Sequence, residues 1–330
     1  MRHHAAGAIA MAAYKPDPEL FTVQLRSIQA QEWSDFQCVI SCDSDADAIE
    51  SLKHSAVGGD SRFSVHGDGR RRGFYLNFER ALELVPREAA WVALADQDDR
   101  WYPHKLSRLV PELGVANLAA GQARVVRHPD GAVLLDKTPR REVAFDDLIV
   151  QNQVTGAQSV FRRDLLDLAL PFPRVDAVTA VHDHWLAICA SVVGSIRIVD
   201  EVVQDYVQHG RNVIGEVSAQ PMDIPGAFRR IRELALEYEG GASPLDMARV
   251  CNRLAFGWRR AMLTTVSERL GEVPTSAQGA WLALGPDHAN ADAARFLTAR
   301  LRSPNVDRGT VFTFLPGVPL EVRRRTRSER

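Results

Sequence analysis

Trp91-Val92-Ala93-Leu94-Ala95-Asp96-Gln97-Asp98-Asp99 runs five apolar residues in unbroken succession into four polar ones, three of them acidic. A strand with one wet face alternates apolar and polar residues, whereas a strand covered on both faces is apolar throughout, as the strands of a parallel sheet between helix layers are. Residues 91–95 therefore read as an interior strand. Ligands of open parallel sheets bind beyond the carboxyl ends of the strands, which is where residues 96–99 fall.

The chain before this strand supports the same architecture, because strand-like and helix-like stretches alternate along it. Residues 8–13 read as a first strand, and Phe21, Leu25 and Ile28 recur at helical spacing after Pro16 and Pro18. Residues 36–41 form a second strand, 46–53 a helix, 63–66 a short strand and 74–84 a helix that follows the loop 67–73. Beyond residue 119 the pattern turns to short strands, with a turn at His128-Pro129-Asp130-Gly131 that suggests an antiparallel hairpin on the sheet's edge. A strand at 156–161, a helix at 183–193, and strands at 196–199 and 205–209 follow. From about residue 221 the character changes to long amphipathic helices, 224–239 and 245–270, with Val250, Leu254, Trp258 and Met262 near one face. The expected organisation is α/β: a Rossmann-like mixed sheet flanked by helices over 1–218, and a helical C-terminal extension over 219–330.

Composition bounds the function class. The 330 residues carry 40 Lys and Arg against 42 Asp and Glu, so no global field selects nucleic acid or acidic lipid as partner. Only Arg323-Arg324-Arg325-Thr326-Arg327 is locally basic. The four cysteines, Cys38, Cys42, Cys189 and Cys251, show no paired spacing and read as reduced thiols in a cytoplasmic protein. The apolar run 5–13 is short for a secretory signal and is better explained as the buried first strand. No run reaches the roughly 18 apolar residues that span a bilayer, so the expected membrane contact is at most peripheral, at the inner face of the plasma membrane. The apolar stripes of the C-terminal helices have three available uses: docking within the chain, pairing two copies as a homodimer, or lying on a membrane.

Asp96 and Asp98 bracket one residue at a strand end, which lets both carboxylates reach one divalent ion. Mg²⁺ and Mn²⁺ take such oxygen donors alike and are commonly completed by substrate phosphates. Crowded carboxylates repel one another, and a cation relieves the cost of withdrawing them from water. The competing reading is a solvated acidic turn that caps the next helix.

The longer stretch from Leu94 to Leu106, with Asp96-Gln97-Asp98-Asp99 followed by Trp101, Pro103 and Lys105-Leu106, resembles the hallmark of glycosyltransferase family 2, particularly its bacterial rhamnosyltransferase-like members. Collinear pieces extend the resemblance from residue 9 to 215: Ala12-Ala13-Tyr14, Leu25-x-x-Ile28-x-x-Gln31, Val39-Ile40-Ser41-x-Asp43, Gly73-x-x-x-Asn77-Phe78, Gly156, His182-Asp183-x-Trp185 and Tyr206-x-Gln208-His209-Gly210-x-Asn212-x-x-Gly215. The resemblance implies a GT-A fold and transfer of a sugar, such as the deoxysugar rhamnose, from a nucleotide-diphosphate donor to a glycan or lipid-linked acceptor in cell-surface polysaccharide synthesis. It implies Mn²⁺ or Mg²⁺ held by Asp98, with Asp96 near the ribose or metal and His209 near a phosphate or the metal. It places Ala13, Tyr14, Asp43, Asn77, Gln97 and Trp185 on the nucleotide sugar, and it makes Asp183 the base that accepts the acceptor proton, with inversion at the sugar.

Each role has a plainer rival. Asp43 also suits a helix cap, and Asp183 suits a carboxylate favoured at a helix N-terminus. Trp101 and Trp185 offer faces for a sugar or are core; Arg70, Arg71 and Arg72 neutralise a diphosphate or form a solvated loop. The chain departs from the family where relatives read Tyr-Asn and Ser-Asp-Asp-Gly-Ser, having Tyr14-Lys15 and Ser41-Cys42-Asp43-Ser44-Asp45. These departures motivate a non-catalytic, carbohydrate-binding or scaffold alternative. A sugar-nucleotide nucleotidyltransferase would need a Gly-rich basic loop after the first strand, which Ala13-Tyr14-Lys15-Pro16 is not. A phosphohydrolase would carry its Asp-x-Asp pair after the first strand, and here the pair comes some ninety residues into the chain.

Overall fold

A computed structural model describes residues 6–175, 180–210, 223–286 and 290–318. The described residues fall into two compact units: those of Met1–Glu142, Val154–Phe172 and His182–Ala219, and those of Val143–Gln153, Pro173–Val181 and Gln220–Arg330.

The first unit begins with β1 (Gly7–Ala13), α1 (Pro18–Gln29), β2 (Phe36–Cys42), α2 (Ala46–Val57), β3 (Phe63–Gly67), α3 (Phe74–Glu83) and β4 (Trp91–Ala95). Asp17 and Asp45 cap α1 and α2 by accepting backbone N–H groups of their first turns. Next come β5 (Arg100–Trp101), α4 (Lys105–Leu109), β6 (Leu118–Arg127) and β7 (Val133–Leu135). The short α5 (Phe145–Leu148) belongs to the second unit, after which β8 (Ser159–Arg162), α6 (Leu165–Ala169), α7 (His182–Val193) and β9 (Ile196–Gln208) complete the first.

The strands lie in the order β3-β2-β1-β4-β8-β6-β9-β5, with β7 paired to β6. β3, β2, β1 and β4 are parallel, and β8 reverses direction between β4 and β6. Every residue of β4 is buried, as its unbroken apolar run requires. Gly7 is dictated by that neighbour, because a Cβ there would collide with the Trp91 indole.

The details depart from the sequence expectation in the second half of the sheet. The turn at 128–131 does join antiparallel strands, but β6 is ten residues long and lies between β8 and β9, and only β7 is peripheral. The two expected strands at 196–199 and 205–209 are one strand, β9, with irregular register against β6.

In the second unit, α8 (Ile224–Glu239), α9 (Pro244–Cys251), α10 (Trp258–Leu270), α11 (Gln278–Leu284), α12 (Asn290–Arg300) and α13 (Arg308–Phe312) follow. α9 passes into α10 through a wider π-helical stretch, Asn252–Gly257. Ile231 and Ala235 of α8 pack with Val250, Cys251 and Leu254, so these apolar positions are spent inside the unit. The segment Val143–Gln153 joins these helices through side chains a linear boundary cannot reveal. Arg259 donates to the carbonyls of Ile149 and Val150 at 3.0 and 2.8 Å, and Asp147 accepts from Ser303 and Asn305 at 2.8 and 3.1 Å. The expected junction at 218/219 lies outside the described residues, as do Asn212, Gly215 and the basic run 323–327. Among the described residues, no helix is long and apolar enough to cross a membrane.

Candidate active site

The carboxyl ends of β1, β2 and β4 lie side by side, and the motif residues fall into two groups there. On the β1–β2 side the polar groups are consumed by the main chain. The buried Asn77 donates to the carbonyls of Ala13 and Ser41, at 3.3 and 3.1 Å, and accepts from the Ser41 hydroxyl at 2.7 Å. The Asp43 amide donates to the Ala13 carbonyl at 2.9 Å, and the Asp43 carboxylate accepts the Arg72 and Gly73 amides at 2.6 and 2.7 Å. Asp43 therefore fastens the loop that opens α3, and α2 takes its cap from Asp45 instead. Gln97 grips Tyr14 from both sides, accepting its N–H at 2.8 Å and donating to its carbonyl at 3.3 Å. This leaves the Tyr14 ring exposed, with the Arg71 guanidinium 4.8 Å from its centroid. Arg72 is committed to Asp68 at 2.5 Å, so the basic loop is ordered at two of its three arginines.

On the β4 side carboxylates crowd one another. Asp98 meets His209, at the end of β9, with 2.8 Å between Oδ2 and Nε2. Asp183 lies in the first turn of α7, its Oδ2 accepting the Gly156 N–H at 3.2 Å and its Oδ1 the His184 N–H at 2.6 Å. Gly156 permits this approach, since a Cβ would lie 2.7 Å from His182 Nε2 and 3.4 Å from Asp183 Cβ. The Asp96 carboxyl is pushed up to about 7, first by its withdrawal from water and then by the charges of Asp98 and Asp183. Gly156, where a Cβ would lie 3.2 Å from Leu94 Cδ1, holds Asp183 beside the end of β4.

The fourth motif carboxylate has a different part. Asp99 turns away into the core, where it accepts from Gln204 Nε2 at 2.8 Å and the Val207 amide at 3.1 Å. Trp185 and Trp101 require correction as sugar platforms. Trp185 is fully buried with its indole N–H on the Ala169 carbonyl, and Trp101 is buried beneath the Lys105 ammonium, so neither presents a face to a ligand. The sequence reading missed the roles of Lys105, Gln204 and Gly156. Lys105 and Gly156 stood in the quoted motifs as bare residue types, and Gln204 carried no local signal.

Among the described residues, no three His, Cys, Asp or Glu side chains converge as a cage for a metal ion. Mg²⁺ does not need one, because it is usually bound by one or two carboxylates together with substrate phosphates and water. The Asp98–His209 pair beside Asp96 fits that mode of binding by a hard divalent cation.

An α/β sheet of this order, with carboxylates at the end of β4, has the architecture of the GT-A type. Comparison with known proteins places it further. The model of glycosyl transferase family 2 matches residues 9–167. A glycosyltransferase of Nostoc sp., itself uncharacterized, is 27% identical over 209 residues, which cover 57% of this chain and 60% of that protein. S. aureus TarS 1–349 in complex with UDP-GlcNAc superposes with a TM-score of 0.51 at 15% identity, covering 97% of this chain and 92% of that one. A mannosyltransferase from Pyrobaculum calidifontis in complex with GDP-Man and Mn²⁺ gives 0.51 at 16% identity, covering 97% and 87%. These two share the GT-A architecture with this chain.

Proposed function

We propose that the protein is an inverting glycosyltransferase that moves a sugar from a nucleoside-diphosphate donor to a hydroxyl of a glycan or lipid-linked glycan. The observation that carries this reading is the gathering of Asp96, Asp98, Asp183 and His209 at the end of β4. Asp98 and His209, with Asp96 alongside, would hold Mn²⁺ or Mg²⁺, which would offset the charge of the departing diphosphate. Asp183 is anchored by two backbone amides at the start of α7, and its carboxylate takes the proton as the acceptor oxygen bonds to the anomeric carbon. The bond to the diphosphate breaks with its electron pair on the leaving group, and attack from the opposite face inverts the centre. The Tyr14 ring and Arg71, steadied by the Gln97 grip, lie beside this centre as the surface for the nucleotide base.

The test is thermal stabilisation by UDP, GDP and dTDP, each with and without Mn²⁺ or Mg²⁺, in the wild type and Asp98→Ala. A ligand bound only by the folded state contributes about 2.7 kcal/mol at a hundred times its Kd. One nucleotide should stabilise the wild type in a metal-dependent manner, and Asp98→Ala should abolish the effect. Failure of every nucleotide with either metal would remove the reading and leave a non-catalytic family member.

A further inference from the structure

Lys105, the first residue of α4, is fully buried, yet among the described residues its ammonium touches no carboxylate directly. Its Nζ donates to the Ala157 carbonyl and to Gln204 Oε1, the latter at 2.7 Å, and it lies 3.5 Å from the Trp101 ring centroid. Gln204 is equally buried and spans the gap, donating from Nε2 to Asp99 Oδ2 at 2.8 Å. The orientation of this amide matches the ionised forms of its two neighbours. An ammonium only donates and a carboxylate only accepts, so the amide oxygen must face Lys105 and the NH₂ must face Asp99.

The far end of the chain of bonds is the main chain of β9. Asp99 Oδ1 accepts the Val207 amide at 3.1 Å, and two residues later His209 Nε2 meets Asp98 Oδ2 at 2.8 Å. Two consecutive carboxylates thus act on one strand end: Asp99 grips its backbone and Asp98 meets its histidine. The register shifts of β9 against β6 end at Gln204, and from there to Gln208 the strand pairs regularly with Ala123 to Arg127, so Gln204 and the Val207 grip bracket the regular stretch that leads into His209.

We propose that Lys105, Gln204 and Asp99 form a buried relay that sets the end of β9, and through it holds His209 against Asp98. The three are positioning residues, and the proposal rests on the reading of Asp98 and His209 as the cation pair. The relay has a basic group at the α4 end, an acidic group at the β9 end and an amide between them.

The polarity supplies the test. In Asp99→Asn the new NH₂ and that of Gln204 face each other as donors, and turning Gln204 over puts its NH₂ against the ammonium. In Gln204→Glu two carboxylates confront each other. The double variant Asp99→Asn/Gln204→Glu restores a donor for every acceptor and moves the negative charge one link towards Lys105, while the side-chain amide oxygen introduced at position 99 still accepts the Val207 N–H. Mn²⁺ binding is read directly from the electron paramagnetic resonance of free Mn²⁺, with near-ultraviolet circular dichroism as the fold control. Each single variant should weaken Mn²⁺ binding by about 10-fold or more, the range found when groups that orient metal ligands are removed. The double variant should recover most of the loss, and neither single change should weaken binding further in a His209→Ala background. Wild-type affinity in Asp99→Asn, no recovery in the double variant, or an undiminished effect of Asp99→Asn without His209 would each overturn the relay. If the wild type binds no Mn²⁺, the cation pair itself fails and the relay falls with it; if Asp98→Ala alone abolishes binding, only the relay is at fault.

Discussion

The two sides of the strand-end platform use polar residues in opposite ways. At the ends of β1 and β2, Asn77 and Asp43 have their polar atoms taken up by backbone partners and the Ser41 hydroxyl. At the end of β4, Asp96 is held up to about 7 by burial and by neighbouring charges of its own sign. A group whose bonds are all made inside the protein contributes to stability, and a substitution there registers as unfolding free energy. A group left in electrostatic conflict costs stability in the free protein and gains by binding a counter-charge. The comparison separates scaffold from chemistry among residues that one sequence motif presents as equals.

The largest expected effect falls on the conflicted side. Asp183→Asn keeps an acceptor for the Gly156 amide but removes the base, so release of nucleoside diphosphate from the sugar nucleotide should fall by about 10²–10⁴-fold. Metal-dependent stabilisation by the nucleotide should persist. Turnover at the wild-type rate would move the base elsewhere, and loss of nucleotide binding would make Asp183 part of the donor site.

On the satisfied side the expected effect is on the fold. Asn77→Ala deletes three buried hydrogen bonds and leaves the Ala13 and Ser41 carbonyls with one partner fewer. Urea denaturation should show a loss of about 2–3 kcal/mol, with Mn²⁺ affinity unchanged. If Mn²⁺ binding weakened in step with stability, the two sides would be one coupled network and the division would fail.

How much of this was legible beforehand follows the range of the interactions. The unbroken apolar run of β4 and the alternation of strands and helices declare themselves within a few residues, so the architecture and the position of Asp96 and Asp98 could be read directly. The resemblance added Asp183 and His209, whose partners are 27 and 111 residues away in sequence. Hidden from both was the division of labour. Asp98 and Asp99 are chemically identical neighbours, and only the path of β9 decides that one faces His209 and the other the core. Trp185 misled for the same reason, because an aromatic in a motif shows neither which face is covered nor what its N–H reaches.

The smallest expected effect tests the β4 side through pH. His182, beside Asp183, is stacked on Phe78 with ring centroids 3.8 Å apart, and burial alone depresses its pKa from 6.5 to about 3. The unfolded chain then binds a proton between those values that the folded one refuses, so stability should fall as pH drops below 6.5. From pH 6.5 to 5.5 this group alone accounts for about 1 kcal/mol. Asp96 has the reverse sign: its raised pKa makes the folded state the better proton binder, so its contribution grows as pH drops through about 7. The two oppose each other in the wild type. His182→Gln removes one of them, so stability of the variant should rise, or fall less, over that interval than stability of the wild type. Saturating Mn²⁺ should flatten the variant's profile by keeping Asp96 ionised in the folded state. Parallel profiles for variant and wild type would show that His182 titrates normally, and that the β4 side carries less conflict than its geometry indicates.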